Sequence, residues 1–163
     1  KPALPFRAAP VRIRLMLSFR HFLFSAAVIA MPAFAAEPSP LGTWKTIDDD
    51  TQEVKALVEI TEQGGVVSGH IVKLFRHPGE VQDPICKPCE GELHDQRVIG
   101  MTILWNFQRD GDVWDGGEIL DPEEGKIYRC KLHPIDGGAR LEVRGFIGIS
   151  LLGRTQVWER ERP

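Results

Sequence analysis

The stretch VKALVEITEQGGVVSGHIVKLFR, residues 54–76, decides how the chain can fold. In residues 54–61 every even-numbered position is apolar, which is the period of two that a strand with one buried face requires. The triplet Gln63-Gly64-Gly65 follows, and glycines between two such runs are typical of a tight hairpin turn. Residues 66–76 are again rich in β-branched side chains. The stretch therefore predicts two antiparallel strands joined by a short turn.

The chain on both sides of this hairpin repeats the same pattern, with short β-rich runs separated by glycine, aspartate and proline. No segment keeps the 3.6-residue apolar period of an amphipathic helix. A long loop rich in proline and charge interrupts the runs at residues 77–96, and an apolar link at 148–153 suits a single helical turn. Eight closely spaced strands predict an all-β fold, either a small antiparallel up-and-down barrel or a strongly coiled sandwich. The six strands outside the hairpin are predicted at residues 42–48, 98–107, 113–120, 126–133, 139–146 and 154–160.

One pair of residues favours the closed barrel. Gly42-Thr43-Trp44 opens the first predicted strand, and Arg154 opens the last. Closure makes these two strands neighbours and removes the exposed sheet edges. A guanidinium can then stack on the indole face, a contact worth about 0.5–2 kcal/mol. Gly-x-Trp on the first strand with arginine on the last resembles the lipocalin and calycin barrels, so we expect Arg154 to cover Trp44.

The charge of the chain is unevenly distributed. The 20 basic and 23 acidic side chains give a net charge of −3, yet residues 1–35 hold five basic residues and no acidic one. Residues 36–163 therefore carry a net charge of −8 over 128 residues, a length that suits one domain. Nucleic acids and anionic membrane surfaces both require clustered lysine and arginine. The acidic body argues against either as the main partner.

The head of the chain has the layout of a secretory signal. An apolar run at residues 22–31 follows Arg20, and Pro32 ends it. Ala33-Phe34-Ala35 then supplies the small residues of a cleavage site, which we predict between Ala35 and Ala36. The run is much shorter than the about 20 apolar residues of a membrane span. The pattern predicts a protein of the periplasm or the secreted fraction, with no stable membrane span after cleavage.

The start of the signal sets the predicted domain boundaries. Met16 lies just before the basic end of the apolar run and would begin a well-proportioned signal. We therefore interpret residues 1–15 as an upstream extension, 16–35 as the signal peptide and 36–163 as a single β-barrel domain. A genuine basic N-terminal arm is the alternative for the first segment.

Cysteine chemistry offers one set of candidate sites. Cys86 and Cys89 form a Cys-x-x-Cys pair in the long loop, and Cys130 lies on the same face of its strand as Tyr128 and Leu132. An exported protein meets an oxidising compartment, where a structural disulfide is expected. A local Cys86–Cys89 bridge is favoured, with Cys130 as a buried thiol. A bridge from either loop cysteine to Cys130 remains the alternative.

The same residues could also act as a redox dithiol or as metal ligands. The redox interpretation lacks the βαβ setting of thioredoxin-like motifs. Cys86 and Cys89 together with Cys130 and His133 have the half-site spacings of a Cys3His zinc site. Positions three apart on a regular strand point to opposite faces, however, so Cys130 and His133 would need a bend. We therefore predict neither a metal nor a cofactor.

A third candidate is a ligand pocket in the barrel, because an eight-stranded barrel can hold packed side chains or one small ligand. Aromatic walls with a few polar anchors are what small-molecule sites require. No nucleophile elbow, phosphate-binding loop or calcium loop is present in the sequence, so we predict no enzymatic activity. The candidate pocket residues are Trp44, Trp105, Trp114, Tyr128, Arg154 and Trp158.

Several longer segments can be matched as a set. They are PLGTWKT at residues 40–46, DPICKPCEG at 83–91, VIGM at 98–101, WDGGEILDP at 114–122 and LEVRGFIGISLLGRTQVW at 141–158. Together they resemble the domain of unknown function 2147 family, and the resemblance covers nearly the whole predicted domain. It implies an exported, single-domain, lipocalin-like barrel of the bacterial envelope, and it implies no reaction.

These observations predict a non-enzymatic envelope barrel, a monomer that binds a small apolar or amphipathic ligand. The alternative is a periplasmic thiol-redox or metal-handling protein that uses the Cys86-x-x-Cys89 loop.

Overall fold

The computed structural model describes residues 37–162, and strands make up most of it. Three 3-10 turns occur at Gly91–Leu93, Asp136–Gly138 and Ser150–Leu152. The predicted upstream extension and signal peptide lie outside the described residues, so those assignments stay predictions. The strands are β1 Gly42–Ile47, β2 Val54–Gln63, β3 Val66–Leu74, β4 Thr102–Asp110, β5 Val113–Asp121, β6 Lys126–Ile135, β7 Arg140–Phe146 and β8 Gly153–Arg160.

The eight strands form one closed antiparallel barrel. Each strand pairs with the next along the chain, and β8 pairs back with β1. Closure gives every strand a partner on both sides, which removes the unpaired edges that promote aggregation. The prediction of an all-β, up-and-down, lipocalin-like barrel is therefore confirmed, and the coiled sandwich is not what forms.

Arg160 covers Trp44 at the junction of β1 and β8. The two residues face each other in the register, and the guanidinium lies 4.1 Å from the centre of the indole ring. The same guanidinium donates hydrogen bonds to the main-chain oxygens of Ser39 and Leu41 at 2.7 Å and of Gly138 at 2.5 Å. Burial lowers the pKa of Arg160, but arginine starts so high that the group stays charged at neutral pH.

The expectation that Arg154 covers Trp44 is wrong. Arg154 lies at the other end of β8. Its Nε donates there to Oδ2 of Asp49, a residue of the β1–β2 turn, at 2.8 Å. The reason is the direction of the strands. In an antiparallel pair the last residues of β8 lie beside the first residues of β1. Trp44 is near the start of β1 and therefore meets the end of β8, which is Arg160.

The alternation of apolar residues in β2 produces the buried face that was predicted. Ala56, Val58 and Ile60 all point into the barrel and are buried. On β5, Gly117 leaves the space that the ring of Phe107 fills, since a Cβ at Gly117 would lie 2.4–2.6 Å from that ring. Phe107 is consequently completely buried.

β4 begins later than predicted. Residues 98–101 form an irregular turn against β3 before the regular strand starts at Thr102. Ile71 anchors this turn, because its N–H donates to Met101 O at 3.0 Å and its carbonyl accepts from Gly100 N–H at 2.7 Å. Val98 and Met101 are buried. Their apolar character, which favoured a strand in the sequence, here serves to pack the end of the long loop onto the barrel.

Candidate functional site

The barrel contains a cavity of about 930 Å³ that opens at one end. Its mouth lies where β1, β3, β5 and β7 end, so the β1–β2, β5–β6 and β7–β8 connections and the long loop surround it. The interior wall is mainly apolar and comes from alternating positions on several strands. The buried side chains that line the cavity are Ala56, Val58, Ile71, Val98, Ile103, Leu120, Val143, Phe146 and Trp158.

The opposite half of the barrel is filled by side chains. Trp44 is completely buried there, and its Nε1 donates to Pro40 O at 2.6 Å. Phe107, Leu132 and Leu141 are also fully or almost fully buried. No charged side chain is buried in the described residues. The cavity is therefore a one-ended pocket with a closed, apolar base.

Neutral polar residues, among them Gln156 and Thr46, line the cavity between the apolar ones. Gln156 is half-buried, and its Oε1 accepts a hydrogen bond from Trp158 Nε1 at 3.3 Å. Thr46, on β1, lines the same cavity. A pocket with a mostly apolar wall and a few hydrogen-bonding groups is the usual form of a small-molecule site.

Charged residues ring the mouth. Lys55 Nζ lies 2.9 Å from Glu123 Oε2 and 3.6 Å from Asp48 Oδ2. Burial acts to lower the pKa of Lys55, but the hydrogen bond to Glu123 and the charges of Glu123 and Asp48 outweigh it and raise that pKa overall. β2 and the β5–β6 turn are not neighbours in the strand order, so the Lys55–Glu123 pair reaches across the mouth.

An apolar lip occupies the β7–β8 side of the mouth. It consists of Ile147, Ile149, Leu151 and Leu152, which are 71%, 60%, 85% and 78% exposed. Arg144 fixes the backbone of this connection, because its Nε donates to Ser150 O at 2.9 Å. The first and last residues of the lip also line the cavity.

The cysteine loop covers another side of the mouth. Cys86 and Cys89 form a disulfide, and both residues are buried. Cys86 Sγ lies 3.2 Å from Pro122 O on the β5–β6 turn. The fit there is tight, since a Cβ on Gly125 would lie 2.1 Å from Pro88 O. The favoured local bridge is therefore confirmed, and it holds the long loop against the turn that carries Glu123.

Cys130 is a free, buried thiol, as the favoured pairing predicted. Burial raises its pKa to about 12. The thiolate is the reactive form of cysteine, so this residue is unreactive at neutral pH. The Cys3His arrangement does not form, because Cys86 and Cys89 are bonded to each other and His133 lies beside Glu142, with 3.4 Å between Nδ1 and Oε2.

Comparison with protein families decides the relationship of this chain. The family described as "Uncharacterized protein conserved in bacteria (DUF2147)" matches residues 42–160, from the first residue of β1 to the last residue of β8. The chain belongs to this family. No curated protein matches the sequence of this DUF2147 member.

The fold of the DUF2147 chain is similar to that of a protein whose structure has been solved. That protein is HP1028 from the human pathogen Helicobacter pylori, which is described as belonging to the lipocalin family. The TM-score is 0.66 at 17% sequence identity, over 77% of this chain and 84% of that one. At this identity the likeness shows a shared fold. The DUF2147 barrel is thus a lipocalin-like barrel.

Residues 37–162 of the DUF2147 barrel contain neither a cluster of metal ligands nor a membrane-spanning helix. No group of three or more His, Cys, Asp or Glu side chains in that range is arranged to hold a metal ion. That range also contains no helix with the length and apolarity needed to cross a bilayer.

The predicted pocket residues of the DUF2147 barrel fall into two groups. Tyr128, Arg154 and Trp158 line the cavity. Trp44 lies in the filled half under Arg160, and Trp114 packs against Arg109, whose guanidinium is 5.4 Å from its ring. Trp105 is half-buried and donates from Nε1 to Glu118 Oε2 at 2.7 Å. Whether any of the six contacts a ligand stays a prediction.

Sequence reasoning missed most of the cavity of the DUF2147 barrel. The inward positions of β2, Ala56 and Val58, could have been found from their alternation, which the sequence analysis used only to identify the strand. The mouth residues Lys55 and Glu123 had no signal, since they lie 68 positions apart and meet only when the barrel closes.

Proposed function

We propose that this protein is a non-enzymatic barrel that holds a small apolar or amphipathic ligand. The observation that carries the proposal is the cavity of about 930 Å³ with an apolar interior and a single open end. Ligand pockets in proteins are typically about 300–1,000 Å³ and mostly apolar. The lipocalin-like fold supports the proposal, because barrels of this size can enclose one small ligand.

The proposal includes a route of entry and a place of action. The exposed lip at residues 147–152 gives an apolar tail a surface to cross before it reaches the interior. The signal-like layout of residues 16–35 and the Cys86–Cys89 disulfide both support the periplasm or the secreted fraction as the location, since disulfides persist in oxidising compartments. We propose that the barrel acts there as a monomer.

The thiol-redox and metal-handling alternative receives no support from the site. Both sulfurs of the Cys-x-x-Cys pair are buried, whereas redox exchange needs an accessible sulfur. The remaining thiol, Cys130, has a pKa raised to about 12.

The test fills the cavity with a larger side chain. Ala56 is buried and lines the interior, so Ala56→Phe places a ring in the ligand's space. The matched control is Ala139→Phe, at an exposed position on the β6–β7 connection, at the opposite end of the barrel. The probe is 1-dodecanol, a neutral molecule with a twelve-carbon tail, and binding is measured by isothermal titration calorimetry on protein purified without detergent.

We expect the parent protein and Ala139→Phe to bind dodecanol with the same affinity, and Ala56→Phe to bind at least about tenfold more weakly, a change of about 1.4 kcal/mol. Circular dichroism confirms that both variants keep the strand content of the parent. Equal binding by a folded Ala56→Phe variant, or no binding by the parent, contradicts the proposal.

A further inference from the structure

The interior of the cavity carries no charged side chain, and the charged residues that line it lie at its mouth. No aspartate, glutamate, lysine, arginine or histidine among the described residues is buried in the interior, so a charged head group would have no partner there. Burying an unpaired charge is strongly unfavourable. The head group of an amphiphile must therefore stay at the mouth while its tail lies on Val58, Ile71 and Trp158.

The mouth carries more acidic than basic side chains. Six carboxylates line the cavity, against three lysine and arginine side chains. A cleft with one sign of charge and low-dielectric walls concentrates ions of the opposite sign. The acidic residues are Asp48, Glu53, Glu80, Asp121, Glu123 and Glu124, and the basic ones are Lys55, Arg76 and Arg154.

Two of the three cations are already engaged by carboxylates. Arg154 binds Asp49, and Lys55 lies between Asp48 and Glu123. Arg76 is half-buried and forms no ion pair or side-chain hydrogen bond with the described residues, so it is the cation that an anionic head group would contact. The acidic majority opposes such a head group, and substitution of Arg76 tests this directly.

The arrangement of Lys55 indicates which head group fits. Its ammonium sits at the end of an aliphatic stem, between a carboxylate of the β1–β2 connection and one of the β5–β6 turn. An alkylammonium ligand would present the same group on the same kind of stem, with its tail continuing into the apolar interior. The ammonium of Lys55 thus lies where the ammonium of a ligand could also bind, beside Asp48 and Glu123.

We propose that the ligand class of this cavity is an amphiphile with an aliphatic tail and a positively charged amine head group, held at the mouth by Asp48 and Glu123. The proposal rests on the proposed function, because it specifies the ligand of the same cavity. It gives Lys55 the role of an internal competitor for the head group.

The experiment compares three probes with the same twelve-carbon tail: dodecylammonium, dodecanoate and 1-dodecanol. Each is titrated into the purified protein by calorimetry in low-salt buffer, the two ions below their micelle-forming concentrations and dodecanol below its solubility limit. We expect dodecylammonium to bind more tightly than dodecanol, and dodecanoate most weakly. Added salt should reduce the preference for the ammonium, because screening weakens charge interactions at an exposed mouth.

Four variants separate the roles of the mouth residues. Glu123→Gln should weaken dodecylammonium binding about three- to fivefold, and Lys55→Gln should tighten it by a similar factor, which matches the strength of one partly exposed ion pair. The control Glu62→Gln, exposed at the far end of β2, should leave all three affinities unchanged. Arg76→Gln removes a positive charge from the mouth, so it should not weaken the binding of dodecylammonium or dodecanol.

The outcomes distinguish this inference from the proposed function. If dodecanol binds but dodecanoate binds as tightly as dodecylammonium or more tightly, the cationic head group is wrong while the ligand cavity stands. Equal ammonium affinities for the parent and Glu123→Gln also overturn the inference. If dodecanol does not bind the parent protein, both proposals fall.

Discussion

At the scale of single residues, the barrel depends on which arginine reaches Trp44. Arg160 contacts the indole ring and three main-chain oxygens from two segments, residues 39–41 and Gly138. Arg154 makes one exposed ion pair with Asp49. Two arginines six positions apart on one strand therefore have very different structural roles. Arg160 joins the start of the barrel to its end.

Replacing Arg160 is expected to destabilise the protein strongly. Arg160→Ala removes the stacking contact and leaves three partly buried carbonyl oxygens without their donor, so we expect the free energy of unfolding to fall by about 3 kcal/mol or more. Arg160→Lys should lose most of the same stability, because a lysine cannot present a planar fork to three acceptors. Urea denaturation followed by tryptophan fluorescence measures the effect.

Arg154→Ala is the matched control on the same strand. The Arg154–Asp49 pair is exposed, and such pairs contribute about 0–1 kcal/mol. A loss from Arg154→Ala equal to that from Arg160→Ala would contradict the assignment of barrel closure to Arg160.

At the scale of elements, β4 and β5 pack closely because Gly117 has no side chain. Gly117 on β5 faces the ring of Phe107 on β4, and this close approach allows the ring to fill the closed half of the barrel. Another glycine on a strand, Gly145 on β7, has no such constraint, since a Cβ there would lie 3.7 Å from Ile119 and Tyr128.

Substitution of these two glycines by alanine should therefore change the free energy of unfolding by different amounts. Gly117→Ala should lower the free energy of unfolding by about 1–3 kcal/mol, because the ring of Phe107 must move out of its packed position. Gly145→Ala should change it by less than about 0.5 kcal/mol, as the added methyl meets only ordinary contacts. Thermal denaturation of both variants is the measurement, and equal effects would show that Phe107 has room to adjust.

At the scale of the whole barrel, one half is packed and the other half surrounds the cavity. The boundary crosses β6 and β7: Leu132 and Leu141 are completely buried on one side of it, while Tyr128 and Gly145 line the cavity on the other. Local opening is easiest where buried apolar contacts are few. The mouth half should therefore open more readily than the closed half.

Hydrogen exchange followed by mass spectrometry tests this division within one pair of strands. Amides of residues 132, 133, 135 and 140–142 should exchange more slowly than those of residues 129–131 and 144–146, with opening free energies that differ by at least about 1 kcal/mol. Both sets belong to the same antiparallel ladder, so each serves as the control for the other. Uniform protection along the ladder would mean that the cavity does not loosen the mouth.

The sequence by itself determined the number of strands, their approximate bounds and the antiparallel all-β class, because alternation and turn residues act over a few neighbouring positions. It favoured the closed barrel over the coiled sandwich through a contact between Arg154 and Trp44 that does not form. It also favoured the Cys86–Cys89 bridge, since a three-residue separation makes that pairing local. Only the tertiary structure decided that Arg160 meets Trp44, that one half of the interior is open, and that Lys55 reaches Glu123. These features depend on strand direction, on register and on side-chain volumes contributed by distant strands, and none of them is encoded in a local pattern.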